Sequence, residues 1–354
     1  MKTKIGITAL ILLTMIIPTT IADDAVKQVG IVMDTEQFEP LIWICDHRIV
    51  LDDSVEPGKT SPGGSELIER VENYAFEGEQ ISWQVLVMDK NGIEKIEDVY
   101  VGLGDERDST FVKEVNCQID SVLRERGEID DSCNARVGEE DLDEAPADNI
   151  LAYYTCTLTV ETPISMYGQY WIRAEVKDLD GFIGHVDELE YWFLNPNIAI
   201  GIDGLIDFGT VTPGTNSYSE TILVGNEADP GSGVLLDMFI AGTDFYDPSS
   251  SGAKCPSTNQ LNLDNFAYFA SNGAYSTQGL GCSDSEGYKS IPHGSKISQA
   301  KEIIGCDLYG VDGYKAGNIL SPGAEMALTF RLDLPEPCNG DFSDGSIFFW
   351  GEAV

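Results

Sequence analysis

All eight cysteines of this chain lie behind an N-terminal segment with the pattern of an export signal. Lys2 and Lys4 precede an apolar run over residues 5–17, and small residues lead to a predicted cleavage site after Ala22. An even number of cysteines behind such a segment indicates disulfides, because exported proteins fold in an oxidising compartment. We therefore expect a secreted or cell-surface chain that is cross-linked by disulfides. The cysteines are Cys45, Cys117, Cys133, Cys156, Cys255, Cys282, Cys306 and Cys338.

An uncleaved membrane anchor is the alternative interpretation of residues 1–22. A spanning helix needs about 20 apolar residues, and Pro18 interrupts this run before it reaches that length. No second apolar run of that length follows in the sequence. We therefore expect no membrane span in the mature chain.

The cysteines fall into two groups, with four before residue 160 and four after residue 250. This distribution predicts two disulfides in each half, and within each half three connectivities stay open. No two cysteines form a CxxC pair, and the chain contains 3 histidines, so a zinc site is disfavoured.

The charge balance is strongly acidic, because 60 Asp and Glu residues against 21 Lys and Arg give a net charge of −39. Nucleic acid is excluded as a natural partner, since phosphate binding needs clustered Lys and Arg. An anionic membrane surface is disfavoured for the same reason. Two explanations of the acidity stay open. One is solubility in a salty medium, where repulsion is screened, and the other is neutralisation of carboxylate clusters by calcium.

Alternation of apolar residues with other side chains predicts half-buried β-strands in both halves of the chain. In Tyr154–Val160, four apolar residues alternate with three threonines. The turn-forming pairs Asn91-Gly92 and Asp180-Gly181 follow two such runs. The other predicted strands are Ile81–Met88, Tyr170–Val176, Val234–Ile240, Met326–Leu334 and Ser346–Trp350.

Helical patterns are scarce. An apolar stripe predicts a helix over Lys113–Arg126, and Lys296–Ile304 is a second, shorter candidate. The segment Glu125–Asn149 is acidic, rich in turn residues and almost without apolar periodicity, so we expect a loop that Cys133 tethers.

Together these patterns predict an all-β chain with little helix, built from two β-sandwich domains. The predicted boundary is Leu194-Asn195-Pro196-Asn197, since Asn-Pro ends one strand and a new series begins at Ile198. The first domain covers residues 23–195 and contains the acidic loop insertion 125–149. The second covers residues 196–354 and contains a cysteine-bearing insertion over about 245–320.

A repeated pattern lies at the ends of two predicted strands in Tyr74–Asn195. It reads Val87-Met88-Asp89-Lys90-Asn91-Gly92 and Val176-Lys177-Asp178-Leu179-Asp180-Gly181. This V-x-D-x-x-G pattern resembles immunoglobulin-like domains of the PKD type. The resemblance implies a β-sandwich of an extracellular protein, although the family usually lacks an acidic insertion like that at 125–149.

The second half carries a different pattern. It reads Phe208-Gly209-Thr210-Val211-Thr212-Pro213-Gly214, followed by Ile222-Leu223-Val224-Gly225-Asn226. This pattern is similar to immunoglobulin-like domains of secreted prokaryotic proteins, including the camelysin-like matrix and fibre proteins, which do not share the cysteine-bearing insertion. The two resemblances together imply two immunoglobulin-like β-sandwich domains. The chain as a whole resembles cell-surface proteins of archaea. The resemblance implies a scaffold, an adhesin or a surface-layer subunit, and it carries no catalytic residue across.

No complete catalytic motif occurs in the sequence. Gly58-Lys59-Thr60 matches the end of a P-loop, but Asp53 stands where the first glycine belongs and the setting is a Pro-rich loop. The hydrolase elbow G-x-S-x-G and the zinc motif HExxH are absent. We therefore expect a protein that is not an enzyme. A secreted hydrolase that uses a carboxylate pair is the less favoured alternative.

Calcium is the one cofactor that the sequence suggests. Asp178 and Asp180 lie in one turn, and Asp203 and Asp207 lie just beyond the predicted domain boundary. Calcium takes about six to eight oxygen ligands, which loops of two adjoining domains can supply together. We hypothesise a calcium site at this junction. The alternative is that these carboxylates are hydrated turn residues, as Asp180-Gly181 would be in a hairpin.

The leading functional hypothesis is a non-enzymatic structural or interaction protein, a subunit of a cell-surface layer, fibre or matrix. Its partners would be further copies of itself, another surface protein or a glycan. Val26–Met33 is apolar and β-prone, so it either pairs with the open sheet edge of a neighbour or forms the first strand of its own domain.

An adhesin or glycan-binding module is the alternative function. Exposed aromatic side chains of the cysteine-bearing insertion would contact the ligand in that case, unless they form the core of the insertion instead. The candidates are Tyr268, Phe269, Tyr275 and Tyr288.

Overall fold

The computed structural model describes residues 33–52, 65–66, 72–107, 112–123, 126–133, 149–249, 251–278, 283–294, 301–305, 310–311 and 314–354. Phe38–Val354 forms one compact unit. In the unit that precedes it, the described residues 33–37 are exposed and have no regular secondary structure. Several predictions concern residues outside these ranges, namely the export signal, most of Val26–Met33, most of the loop 125–149, most of Lys296–Ile304, Cys282 and Cys306.

The first half of the chain forms one sheet of nine strands in the order β2-β1-β4-β7-β6-β5-β8-β9-β3. All neighbours are antiparallel except β3 and β9. The strands are β1 Leu41–Asp52, β2 Ser65–Glu66, β3 Tyr74–Ala75, β4 Glu79–Met88, β5 Ile96–Gly104, β6 Lys113–Val122, β7 Leu151–Thr159, β8 Gly168–Asp178 and β9 Ile183–Leu194.

Strand β6 belongs to both halves of this sheet. Its residues 113–116 pair with β5, and its residues from 117 onward pair with β7. The sheet folds back on itself, because Trp83 of β4 packs edge-on against Trp192 of β9 with ring centroids 5.7 Å apart. A β-sandwich results, and the buried rows of β4, β7 and β8 fill the space between its faces.

The predicted alternation places this first core correctly. The strands predicted at Ile81–Met88, Tyr154–Val160 and Tyr170–Val176 are confirmed as β4, β7 and β8. Along β8 every second residue from Tyr170 to Asp178 is buried. Removal of apolar surface from water contributes about 25 cal/mol per Å² to folding, so these rows are a main source of stability.

A smaller apolar cluster covers the outer face of the β1, β4 and β7 layer. Leu86, Leu151 and Tyr153 supply the sheet side of this cluster, and Ile129 packs on them from the segment 126–133. The Cys45–Cys133 disulfide joins that segment to β1. The described start of the acidic insertion is thereby fixed to the sandwich.

The helix predicted over Lys113–Arg126 is wrong, because Lys113–Val122 is strand β6. Its β-branched residues suit a strand, and β5 and β7 supply hydrogen-bonding partners on its two sides. A register shift between Ile119 and Ser121 breaks the two-residue alternation. This bulge is the reason that the apolar residues fall on an apparent helical stripe.

The second half forms a seven-stranded large sheet, a three-stranded small sheet and two short hairpins. The strands are β10 Ile200–Asp203, β11 Asn216–Tyr218, β12 Ile222–Asn226, β13 Leu236–Gly242, β14 Phe245–Tyr246, β15 Gln260–Leu261, β16 Phe266–Asn272, β17 Tyr275–Ser276, β18 Lys289–Ser290, β19 Gly310–Val311, β20 Tyr314–Lys315, β21 Ile319–Leu320, β22 Glu325–Asp333 and β23 Ile347–Ala353.

The large sheet follows the order β10-β12-β22-β16-β17, with β11 on β22 and β18 on β16, and the small sheet follows β21-β13-β23. The second core lies between them and is built from alternate residues such as Met238, Ile240, Leu328 and Phe330. The predicted strands Val234–Ile240, Met326–Leu334 and Ser346–Trp350 correspond to β13, β22 and β23.

The predicted all-β fold with little helix is confirmed. The part of the chain that the structure describes contains three disulfides, Cys45–Cys133, Cys117–Cys156 and Cys255–Cys338, which include every described cysteine. The last of these ties the cysteine-bearing insertion to the segment after β22. The second disulfide predicted for this half of the chain stays a prediction, because the other two cysteines, Cys282 and Cys306, lie outside the described residues. The 3-10 turns are Ile93–Lys95, Arg126–Glu128, Leu263–Asn265 and Ala316–Asn318.

Candidate interaction surfaces

The outer edge of β23 is the first candidate surface. Among the described residues β23 pairs with β13 alone, with Trp350 opposite Phe239. Thr243 donates its backbone N–H to the carbonyl of Ser346, and Val354 donates to Leu235, so even-numbered residues of this segment form the hydrogen-bonded pairs. The backbone groups of the odd-numbered residues 347, 349, 351 and 353 therefore point away from β13.

The side chains of β23 do not protect this edge. Ile347 and Phe349 pack against the second core, whereas Phe348 and Trp350 are half-buried with ring centroids 5.6 Å apart. Natural edge strands are commonly guarded by Lys, Pro or a bulge, and Glu352 is the one charged residue in β23. An edge with this composition is suited to pairing with another strand.

Strand β10 lies on the same side of the second sandwich. A Cβ atom added at Gly351 would meet Cδ1 of Ile200 at 3.3 Å, so β10 and β23 face each other across the core. In the part of the chain that the structure describes, β10 pairs only with β12. Ile202 and Leu205 are 55% and 72% exposed there. This side of the sandwich thus combines two unpaired strand edges with exposed apolar residues.

A second candidate surface lies on the outer face of the large sheet, around Tyr288. The Tyr288 ring lies 5.8 Å from the ring of Tyr218 and 6.0 Å from that of Phe269. The guanidinium carbon of Arg331 lies 4.7 Å from the centroid of Tyr288. Register brings these residues together, because Tyr218 on β11 is opposite Arg331 on β22. We call this group the Tyr288 platform.

Carboxylates fix the orientation of Arg331 on this platform. Its Nη1 donates to Asp284 Oδ2 at 2.7 Å and to Glu286 Oε2 at 3.2 Å, and its Nη2 donates to Asp333 Oδ2 at 3.1 Å. Burial acts to lower the pKa of Arg331, but these hydrogen bonds and charges raise it on balance. Burial also raises the pKa of the Tyr288 hydroxyl. Flat rings beside fixed polar groups can stack on a sugar and hydrogen-bond its hydroxyls.

The structure separates the aromatic candidates predicted from the sequence. Phe269 and Tyr288 belong to the platform, whereas Tyr268 is fully buried and donates its hydroxyl to the carbonyl of Ile303 at 3.0 Å. Tyr275 lies on β17, next to Gly317. Sequence reasoning missed Arg331 and Tyr218. The alternation of Met326–Leu334 places Arg331 on the solvent side, but nothing local pairs it with Tyr218.

Three of the four carboxylates predicted to bind calcium, those of Asp178, Asp180 and Asp207, have other contacts. Asp178 is buried, and its Oδ1 accepts the backbone N–H groups of Asp180 and Phe182 at 3.0 and 2.7 Å. Asp180 forms an ion pair with Lys95 at 3.3 Å. The first pair of predicted ligands is therefore part of the β8–β9 hairpin turn.

The second pair of predicted ligands lies on and after β10. Asp203 is the exposed last residue of β10, and Asp207 Oδ1 accepts the N–H of Gly209 at 2.7 Å. Within the described ranges, no three His, Cys, Asp or Glu residues are arranged to hold a metal ion. Calcium binding stays a hypothesis. The same described part of the chain contains no helix that is long and apolar enough to cross a membrane.

Comparison with known proteins gives structural likeness without sequence likeness. No protein-family model and no curated protein sequence matches the chain. Among solved structures, the C-terminal domain of the AgI/II polypeptide BspA of Streptococcus agalactiae has 12% identity and a TM-score of 0.28, covering 89% of this chain and 97% of that domain. A structure named BspA_C_mut has 12% identity and a TM-score of 0.30, covering 90% and 97%. At these values the likeness supports no conclusion about ancestry or function.

Proposed function

We propose that this protein is a non-enzymatic extracellular interaction protein, a subunit of a cell-surface layer, fibre or matrix whose copies associate through sheet edges. The observation that carries the proposal is the outer edge of β23, which no described strand covers and which displays Phe348 and Trp350. The export-type N-terminus and the disulfides support an extracellular location.

Pairing of β23 with β23 of a second copy suits the chemistry of this edge. In an antiparallel pair centred on Trp350, Phe348 would lie opposite Glu352 of the second copy, so that like charges do not face each other. The small sheet would then continue from one copy into its partner. This self-complementary contact closes at a dimer, so a layer or fibre needs a second contact, for which the edge of β10 that no described strand covers is available. The net charge of −39 opposes this contact, and salt screens that repulsion. We therefore expect association to increase with salt.

Light scattering on residues 23–354 at low and high salt tests this proposal. We expect the mass to rise with concentration and salt for the native sequence. The double variant Phe348→Lys/Trp350→Lys should stay monomeric, because two lysines on a solvent-facing edge oppose strand pairing. Ile164→Lys, at a residue that is 98% exposed in the first sandwich, is the matched control and should associate normally. A monomer under all conditions would contradict the proposal.

Two further experiments, chelation of calcium and deletion of the N-terminal segment, distinguish other modes of association. If chelation of calcium reverses the growth in mass, carboxylates of neighbouring copies share the ion in the contact between them. If deletion of residues 23–35 abolishes association while the edge variant does not, the segment Val26–Met33 of a neighbour is the pairing strand.

Binding of a glycan at the Tyr288 platform is the second candidate function. The observation that favours it is the ring group of Tyr218, Tyr288 and Phe269 beside Arg331, whose orientation carboxylates fix. Screening the monomeric edge variant on a glycan array tests this function. Tyr218→Ala should remove any binding, whereas Tyr246→Ala, at an exposed tyrosine outside the platform, should not. An array without hits would exclude this candidate.

A further inference from the structure

A cavity of about 510 Å³ opens at one end of the second sandwich. Its walls come from the segment after β10, the start of β16, the end of β22 and the segment that leads into β23. The volume lies within the range of about 300 to 1,000 Å³ that is usual for small-molecule sites. The lining residues that decide its chemistry are Phe208, Val211, Phe245, Phe266, Asp341 and Phe342.

Aromatic rings form much of the interior. The ring of Phe266 lies 4.9 Å from that of Phe245 and 5.9 Å from that of Phe208. Phe266 is buried, whereas Phe208, Phe245 and Phe342 are half-buried and keep part of their surface toward the open space. A flat apolar group that enters would exchange water for ring contacts on several sides.

The wall from Cys338 to Ser346 is held in place by several bonds. The Cys255–Cys338 disulfide fixes its start. Asp341 donates its backbone N–H to the buried Asp247 at 3.0 Å, and Ser346 donates its own to Thr243 Oγ1 at 3.1 Å. A preformed wall lowers the entropy that ligand binding would otherwise lose through ordering.

The charge at the rim of the cavity is negative only. Asn339, Asp341 and Ser346 are exposed and polar, and none of the described lining residues is Lys, Arg or His. The whole chain adds to this negative field with its charge of −39. Carboxylate or sulfate ligands are disfavoured at such a rim. An ammonium group beside Asp341 is favoured, and the ring faces add a cation–π attraction.

We propose that this cavity binds a small amine with an aromatic or branched apolar body, whose ammonium group lies at Asp341. The proposal does not depend on association of the chain through β23. Three probes that share a phenethyl body and differ in their polar group test the proposal, namely phenethylamine, 2-phenylethanol and 3-phenylpropionate, and their binding is measured by NMR titration of the chain from residue 23. A ligand of this size should bind saturably with a dissociation constant of about 10 mM or lower.

The order of affinity tests the charge argument. We expect phenethylamine to bind about threefold more tightly than 2-phenylethanol, and 3-phenylpropionate to bind most weakly. Asp341→Asn should remove the advantage of phenethylamine and leave 2-phenylethanol unchanged. Equal affinities in the native chain, or tightest binding of the anion, would overturn the proposed ligand class.

Filling the cavity tests the location. Val211→Trp should abolish binding of all three probes, and Val112→Trp is the matched control at a valine that is 51% exposed and lies elsewhere. Ser346→Trp at the rim provides a second filling variant if Val211→Trp does not fold. Binding that survives in a folded filling variant, or no saturable binding by the native chain, would overturn the proposal.

Discussion

Arg48 on β1 donates from Nε to Oε1 of Glu190 on β9 at 2.6 Å, and this contact joins the two faces of the first sandwich. Trp192 donates to the same carboxylate oxygen at 2.9 Å. The side chains of Arg48 and Glu190 are 21% and 9% exposed. Burial acts to lower the pKa of Arg48, but the hydrogen bond and charge of Glu190 raise it overall.

Removal of one partner of this pair should lower the free energy of unfolding substantially. Glu190→Ala leaves Arg48 and the Trp192 N–H without their acceptor, so we expect the free energy of unfolding to fall by about 3 kcal/mol. Urea denaturation measures this loss. The control is Glu97→Ala, because its ion pair with Lys177 is about half exposed and should contribute less than about 1 kcal/mol. Similar losses for the two variants would contradict this account.

The two disulfides of the first sandwich should differ in their effect on stability. Cys45–Cys133 closes a separation of 88 residues and Cys117–Cys156 one of 39. Replacing either pair by alanine should lower the free energy of unfolding by about 2 to 4 kcal/mol, and loop-closure entropy makes the first loss larger by about 0.7 kcal/mol.

Replacing Cys45 and Cys133 by alanine should also change amide hydrogen exchange locally. Without Cys45–Cys133, amide hydrogen exchange over residues 126–133 should accelerate, because Ile129 loses the anchor of its cluster. Denaturation curves and exchange rates of the two alanine pairs provide the measurement. Unchanged exchange in this segment would show that packing alone holds it.

The buried carboxyl group of Asp89 should make stability depend on pH. Its Oδ1 accepts the N–H of Asn91 at 2.7 Å, and its Oδ2 has no hydrogen-bond partner among the described residues. Burial, joined by the charge of Asp178, raises the pKa of Asp89 above 3.8 despite that hydrogen bond and Lys95. The folded state then retains a proton that the unfolded chain releases, so stability falls as pH rises above the ordinary value.

Asp89→Asn should therefore be more stable than the native chain at neutral pH, and the difference should disappear as pH falls below about 4. The free energy of unfolding between pH 3 and pH 8 measures this. Asp284→Asn is a control of opposite sign. Hydrogen bonds from Tyr288, Arg331 and Glu286 outweigh burial and lower the pKa of Asp284, so this variant should lose stability at neutral pH.

The buried hydroxyl of Tyr268 should contribute to stability rather than to binding. Tyr268→Phe leaves the Ile303 carbonyl without this donor, so we expect a loss of about 1 to 2 kcal/mol in urea denaturation. Tyr246→Phe, at an exposed tyrosine, should change stability by less than about 0.5 kcal/mol. A neutral Tyr268→Phe would argue that the carbonyl finds another partner.

Local periodicity was sufficient to predict most of the long strands. In β22, apolar and other residues alternate without interruption, and the structure buries every second side chain from Met326 to Leu332. The alternation of side chains along a strand also distinguishes two of the aromatic candidates. Tyr268 and Phe269 are neighbours in a strand and point to opposite faces, so they could not both belong to one exposed surface.

Features that depend on long-range pairing could not be predicted. Strand β6 was mistaken for a helix because its bulge is a shift in register relative to β7. That strand is distant in sequence, so the bulge cannot be recognised from the residues of β6 alone. The Tyr288 platform requires the register between Tyr218 and Arg331, which lie on separate strands of the large sheet. Hydrophobic pattern fixes which face a residue occupies, but it does not identify the neighbour across the strand.

The sharing of β6 between two ladders limits how the first sandwich can come apart. The Cys117–Cys156 bond joins directly opposite residues of β6 and β7, at the point where β6 passes from β5 to β7, so β6 stays attached to β7 when the two faces separate. Separation of the faces therefore requires loss of the β5–β6 ladder on one side and of the contact between Arg48 on β1 and Glu190 on β9 on the other. Mechanical load on the chain would be resisted unequally, by a covalent bond within the β6–β7 pair and by noncovalent contacts between the faces.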